Sequence, residues 1–294
     1  MNDDIVKSFE GVSPNTLNNY TSYYNRLLSM LGTDTVIEHS NKKIIELLNS
    51  SNIPPNSIKT FITIIIRIKR NANVSVDDLI SYRNGKLSKQ IDKYDSDKKV
   101  ELNETLPSYD EIKKYMNTLL NEDKFRDYII NYLLINYGVR NIDIDVLITT
   151  DKSVTLKRNI AKENYLYVTP RYIIYQRNNY KTSSVYGRKS YKIVNLSFRN
   201  AVSILLANRK ESRLLFDGDT YNDKQIGNII LNATYNKLGE TSYFKILIKH
   251  YNNFSNIDMI RFLSQSRGTD INTVFKYYNI NEWFKYKNWN TIRR

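Results

Sequence analysis

Over the first hundred residues the apolar positions recur every three or four residues, the spacing of a helix with one buried face. Leu17, Tyr20, Tyr24, Leu27 and Leu28 form such a stripe. It opens with Ser13 and Pro14, residue types that start helices: a side-chain oxygen to accept an orphan N–H, then a ring that needs no donor. A second stripe follows Ser40 in NKKIIELL, and a third follows Pro54 and Pro55 in SIKTFITIIIRIKR. A fourth starts at Ser75, where Ser75 and Asp78 have the spacing of a capping box. This part of the chain therefore predicts four helices and no strand. Residues 92–106, DKYDSDKKVELNETL, are charged and without periodicity, and read as a linker.

Ser108 and Glu111 then form a capping box at the head of YDEIKKYMNTLL. KFRDYIINYLLINY is a strongly apolar helix, and Gly138 stops it as a C-cap glycine does. Beyond it the period changes. NYLYVTP and RYIIYQR are β-branched and aromatic, and RKSYKIVNL alternates. Three short strands in a small antiparallel sheet are expected, with helical signals returning at Phe198. The fold class is mainly α with a small antiparallel β-sheet, in two domains. An all-α domain covers 1–95, a linker 96–106, and an α+β domain 107–294.

Composition narrows the chemistry. Apolar residues make up 41% of 294, enough for a sizeable core. With no cysteine, disulfides, Cys-based zinc sites and thiol nucleophiles are excluded. Two histidines, His39 and His250, argue against a His-based metal site or a Ser-His triad. The longest apolar run, FITIIIRI, is too short and too charged to span a bilayer. The acidic N-terminus, MNDDIVKSFEGV, carries no signal-peptide pattern. An intracellular protein, neither secreted nor membrane-bound, is expected. Net charge is +14, unevenly spread: 14 basic and 11 acidic residues in 1–100, 5 and 9 in 101–150, 25 and 10 from 151 onward. A polyanion is the natural partner of such a C-terminal half, although a lysine-rich surface alone has the same arithmetic.

Three stretches offer candidate chemistry. In NYGVRNIDIDVL, Arg140 follows the helix end at Gly138, and Asp143 lies three residues on. The acid can brace the arginine; the pair also suits an ordinary capped helix end. In YQRNNYKTSSVYGRKSYKI, Lys181 begins a polar turn between two strands, where it either reaches into a groove or sits at a basic tip. In SRGTDINTVFKYYNI, Arg267 and Gly268 precede a short helix. Its Val274 and Phe275 face the core, and it ends in Tyr277 and Tyr278. With 24 tyrosines in the chain, packing alone would also account for that pair. The last stretch, NEWFKYKNWNTIRR, carries Trp283, Phe284 and Trp289 among basic residues.

Taken in this order, the chain resembles the tyrosine recombinase (phage-type integrase) family over nearly its whole length, in the manner of a divergent viral or mobile-element member. SPNTLNNYTSYYNRLL is similar to the first helix of that family's core-binding domain, and YGVRNIDI to its first arginine motif. YKTSSVYGRKSYKI resembles its β-hairpin, and INTVFKYYN its nucleophile helix. The resemblance implies a two-domain clamp on double-stranded DNA that cleaves and rejoins strands through a 3′-phosphotyrosine link. No metal or other cofactor is implied. Tyr277 would be the nucleophile, with Tyr278 the alternate. Arg140 would be the first catalytic arginine with Asp143 beside it, and Lys181 the proton donor to the departing 5′ oxygen. The terminal segment would be a helix docked on a neighbouring protomer, coupling a homo-tetramer to chemistry, or packed on its own domain.

The resemblance has a gap. In SYFKILIKH, Ser242 stands at the family's histidine position and Lys245 at its second arginine, and His250 lies too far along to fill in. Arg267 falls where the family carries histidine or tryptophan. Lysine is a point charge where arginine offers two parallel N–H bonds, so Lys245 would hold a phosphate yet stabilise the transition state less, with Arg267 in compensation. Two rival expectations follow: a DNA-binding relative with weakened or lost catalysis, and a type IB topoisomerase.

Overall fold

The computed structural model describes residues 3–151, 163–207, 211–215 and 223–280. The chain divides into two compact units, Met1–Glu101 and Leu102–Arg294.

The first unit is helical: α1 (Asp3–Ser8), α2 (Pro14–Leu31), α3 (Asn41–Ser50), α4 (Pro55–Asn71), α5 (Asp77–Tyr82) and most of α6 (Ser88–Thr105), with a π-helical turn at Arg83–Leu87 between the last two. The Ser13 and Ser40 hydroxyls accept from the Thr16 and Lys43 amides, each at 3.3 Å, so both expected caps are formed. Apolar stripes meet in a core that includes Tyr24, Leu27, Ile44, Phe61, Ile65 and Leu79. Lys69 also lies inside, its ammonium donating to the His39 carbonyl at 2.5 Å and to Asn41 Oδ1 at 2.9 Å.

The structure differs from expectation in three places here. α1 has no counterpart in the sequence pattern. The box at Ser75 and Asp78 does not form, because the helix begins one residue later, after Val76; the Ser75 hydroxyl donates instead to Asp77 at 3.1 Å. The stretch expected to be a linker is helical. From Lys86 to Leu106 there is no glycine or proline to stop a helix that arrives from α5, and Pro107 marks its end. Its apolar signal is absent because α6 buries only Ile91. Its polar side chains pair instead, as Lys98 does with Glu101 at 2.8 Å.

In the second unit, α7 (Tyr109–Asn121) carries the expected capping box: the Glu111 amide donates to the Ser108 hydroxyl at 3.2 Å, and the Ser108 amide to the Glu111 carboxylate at 2.7 Å. The apolar α8 (Phe125–Tyr137) runs through the core and is packed on by α7, α11 (Leu196–Leu206), α12 (Asp223–Ala233), α13 (Glu240–Asn253) and α14 (Ile257–Arg267). A helix wrapped by neighbours has no face to leave polar. The short α9 (Asn141–Ile144), α10 (Ser183–Tyr186) and α15 (Ile271–Tyr277) complete the helices described.

Five strands make one sheet in the order β4-β3-β2-β1-β5: β1 (Val146–Thr149), β2 (Asn164–Val168), β3 (Ile173–Arg177), β4 (Lys189–Ile193) and β5 (Glu211–Arg213). β2, β3 and β4 pair antiparallel, as expected. The sheet is nevertheless larger and mixed, because β1 joins β2 in parallel and takes β5 antiparallel on its far side. β1 and β5 span four and three residues, too short to show a period in sequence. The fold class is mainly helical with a small mixed sheet.

Candidate functional site

One end of the second unit gathers cations. It begins at Gly138, which leaves α8 in the left-handed conformation, φ +58°. A Cβ there would meet the Phe244 ring at 2.7 Å, so glycine is required twice over, by backbone and by space. The chain then turns at Val139 and Arg140 into α9. The Arg140 amide donates to Asp143 Oδ2 at 2.8 Å, closing that turn.

Asp143 is fully buried, and its Oδ2 also accepts from Arg177 Nη2. Arg177 arrives from the sheet. Alternation along β3 points Ile173, Tyr175 and Arg177 to one buried face, each 0% exposed. Burial pushes the Asp143 carboxyl above the usual range, and the Arg177 guanidinium pulls it back. The other Arg177 nitrogen, Nη1, donates to the Ser266 carbonyl near the end of α14.

Arg140 and Arg267 form a reciprocal clasp. Arg140 donates to the Arg267 carbonyl at 2.5 Å and to the Thr269 hydroxyl at 3.1 Å. Arg267 donates to the carbonyls of Gly138 and Val139 at 3.0 and 3.2 Å, and to Glu240 Oε1 at 2.8 Å. The other Glu240 oxygen accepts the Asn141 amide. Arg267 is 1% exposed, whereas Arg140 is half-buried. Burial, then the neighbouring Arg267, draws the Arg140 guanidinium below its usual range.

The β3–β4 hairpin closes one side. The Thr182 hydroxyl donates to the Gly268 carbonyl at 2.9 Å. Lys189, at the head of β4, pairs in register with Arg177. Burial, then Arg177, lowers its ammonium to about 8, with Arg140 adding and Asp143 opposing. α15 lies beyond the Gly268 turn, capped by Asp270, whose carboxylate accepts the Asn272 amide at 2.8 Å. At its end Tyr278 packs edge-on against Phe244 at 4.8 Å, with the Arg267 guanidinium 5.4 Å from its ring centre. Tyr277 is 52% exposed.

Among the residues singled out from sequence, the structure brings together Arg140, Asp143, Arg267 and Tyr278, and puts Tyr277 on the same helix end, facing outward. Lys181 is exposed on the hairpin, one residue before the Thr182 that binds Gly268. α13 turns Glu240 and Phe244 toward the arginines. Ser242 and Lys245 are two and five residues past Glu240, roughly 200° and 140° round the helix. The segment 281–294, with Trp283, Phe284 and Trp289, lies outside the described residues.

Sequence reading missed Arg177, Lys189 and Glu240. For Arg177 a signal existed, since a charge in phase with Ile173 and Tyr175 on a strand's apolar face implies a buried partner. Lys189 is in phase with Tyr191 and Ile193 in the same way. Glu240 gave no signal beyond opening a helix.

Among the described residues no group of three or more His, Asp or Glu side chains is placed to hold a metal ion, and no helix is long and apolar enough to cross a membrane. In the first unit, Lys86, Lys89 and Lys93 line one shallow pocket beside the π-helical turn.

The sequence matches no protein-family model and no curated protein. Among solved structures, XerA recombinase is similar over 95% of this chain and 92% of that one, at 15% identity and a TM-score of 0.36. It is a distant likeness.

Proposed function

We propose that this protein binds duplex DNA and breaks and rejoins its strands through a phosphotyrosine intermediate. One observation carries the reading: among the described residues, Arg140, Arg177, Lys189 and Arg267 converge with Asp143 and Glu240 as the carboxylates among them, beside a helix that ends in an outward phenol. Four cations against two carboxylates repel one another. A phosphodiester would relieve that excess, and the charge of its transition state would relieve it further.

The roles follow from exposure. Tyr277 attacks phosphorus, because its phenol is free to reach a duplex laid across the helix end. It loses its proton to solvent as the O–P bond forms and the P–O5′ bond breaks. Tyr278 anchors the helix against Phe244 and Arg267. Arg140 is the half-buried arginine and grips the phosphate oxygens. Arg267 holds the Arg140 turn in place, since its guanidinium is sealed inside against the Gly138 and Val139 carbonyls and Glu240. Lys189 protonates the departing 5′ oxygen, while the exposed Lys181 contacts the backbone. Ser242 and Lys245 contact DNA on the flank of α13. The phosphotyrosine conserves the phosphodiester energy, so rejoining needs no external energy source. Assembly of four protomers through residues 281–294 belongs to the same reading.

The test is a nicked or suicide duplex that traps the covalent adduct on a denaturing gel. The parent chain and Tyr278→Phe form the adduct, and Tyr277→Phe forms none. An adduct that survives Tyr277→Phe but not Tyr278→Phe exchanges the two roles. A second reading is favoured by the committed state of Arg267 and by Lys245: a DNA-binding relative without cleavage. It predicts salt-sensitive duplex binding and no adduct with any substrate. Relaxation of supercoiled plasmid without site preference would instead indicate a topoisomerase.

A further inference from the structure

The root of the β3–β4 hairpin holds an arrangement that charge alone disfavours. Arg177 and Lys189 are direct cross-strand partners, and like charges placed opposite one another destabilise a sheet. Both nevertheless face one aromatic ring. The Arg177 guanidinium carbon lies 4.6 Å from the Tyr180 ring centre, and the Lys189 ammonium 5.3 Å from it. That ring is fixed: Tyr180 is 2% exposed, and its hydroxyl donates to the Gly187 carbonyl at 2.6 Å. The Tyr186 ring also stands 5.3 Å from the same ammonium. Arg177 has nowhere to retreat, since Asp143 and the Ser266 carbonyl hold its two terminal nitrogens.

Among the described residues, the charged and titratable groups around Lys189 are Arg177 on β3, Tyr180 and Tyr186 on the hairpin, and Arg140 and Asp143 on the turn after α8. The one acid among them is hydrogen-bonded to Arg177 and to the Arg140 amide, and it offsets only part of the push on Lys189. Of two cations forced together, arginine keeps its proton and lysine yields it.

We propose that Arg177 is a positioning residue for Lys189, holding a fixed positive charge beside it at the Tyr180 ring so that Lys189 serves as the proton donor of strand cleavage. This rests on the reading that the chain cleaves DNA. As the phenol oxygen bonds to phosphorus and the P–O5′ bond breaks, an N–H proton of Lys189 passes to O5′, leaving a neutral amine beside Arg177. On rejoining, the amine takes the proton back from the attacking 5′ hydroxyl. The depressed ammonium agrees with this placement: an acid near neutrality gives up its proton more readily than one at the usual value of about 10.4.

Two measurements on the full chain test it. First, lysine amines tagged by ¹³C reductive methylation are titrated by NMR, with Lys189→Arg to assign the signal. A midpoint near 8 is expected; a midpoint at the ordinary lysine value overturns the inference, and this holds even if every Arg177 variant misfolds. Second, the rate of adduct formation is followed against pH. The parent rate should fall above about pH 8, where Lys189 loses its proton. Arg177→Gln should move that limb up by about one pH unit and slow cleavage at neutral pH by up to about tenfold, because the acid is weaker. Arg177→Lys should keep the limb in place. On a duplex with sulfur at the 5′ bridging position, a leaving group that needs no proton, Arg177→Gln should be slowed clearly less than on the ordinary duplex. Equal slowing on both duplexes would reduce Arg177 to a structural brace and overturn the proposal. If the parent forms no adduct at all, the functional reading falls and takes this role with it. If the parent cleaves and Lys189 titrates ordinarily, this inference alone falls.

Discussion

Arg140 and Arg267 show how two identical side chains divide labour. Each reaches across to the other's backbone, but Arg267 is sealed inside and Arg140 is half open. Replacing Arg267 by methionine would strand the Gly138 and Val139 carbonyls and leave Glu240 without its cation. The loss of one partner from a buried pair costs about 3–5 kcal/mol, and urea unfolding of Arg267→Met should show a loss of that size. Arg140→Ala should cost about 1–2 kcal/mol, the scale of hydrogen bonds to a charged donor at a partly open site, and on the proposed function it should lower adduct formation more than Arg267→Met lowers it per kcal/mol of stability lost. If Arg267→Met unfolds at the parent's midpoint, the clasp contributes nothing to stability and Arg267 is free for the phosphate after all.

At the level of elements, what sequence revealed and what it concealed divide along one physical line. Helices with a one-sided apolar stripe and a capping residue, such as α2, α3 and α7, were legible because periodicity and cap report the same boundary. α6 was not, because a helix that buries one side chain has no stripe to read. Gly138 was legible as a C-cap, but its second constraint, the Phe244 ring against its Cα, arises from a helix a hundred residues away. The site followed the same rule. Arg140 and the tyrosines stand beside local landmarks, whereas Arg177, Lys189 and Glu240 acquire partners only through register and packing. Gly268 is where the elements of the site meet. It caps α14 at φ +63°, receives the hairpin's Thr182 on its carbonyl and starts the turn into α15. A Cβ there would strike the Thr182 hydroxyl and crowd the Tyr180 ring at 3.0 Å. Gly268→Ala should therefore cost about 1–3 kcal/mol, seen by urea unfolding, and should loosen the hairpin so that its amides exchange hydrogen faster. Stability within a few tenths of the parent's would mean that the hairpin does not depend on this junction.

For the whole molecule, the question is which of its positive charges a polyanion can meet. The second unit holds 30 basic and 18 acidic residues and the first 14 and 12, so net charge alone would assign a polyanion to the second. Net charge misleads, however, because Arg177 and Arg267 are buried and paired. Exposure gives a different census: Lys181, Arg188 and Lys192 stand open on the hairpin side of the second unit, and Lys86, Lys89 and Lys93 around one pocket of the first. Removing a cation that neutralises one phosphate should flatten the plot of log affinity against log salt by about 0.9. Neutralising either trio to glutamine should then reduce the slope by about 2–3 if that unit grips the backbone. The two trios can be compared in the full chain by fluorescence anisotropy on one duplex. A flattening from both would mean that each unit holds its own stretch of phosphates, as a clamp requires. A flattening from the hairpin trio alone would leave the helical unit with no grip on the backbone at that pocket, and its basic residues would be surface and nothing more.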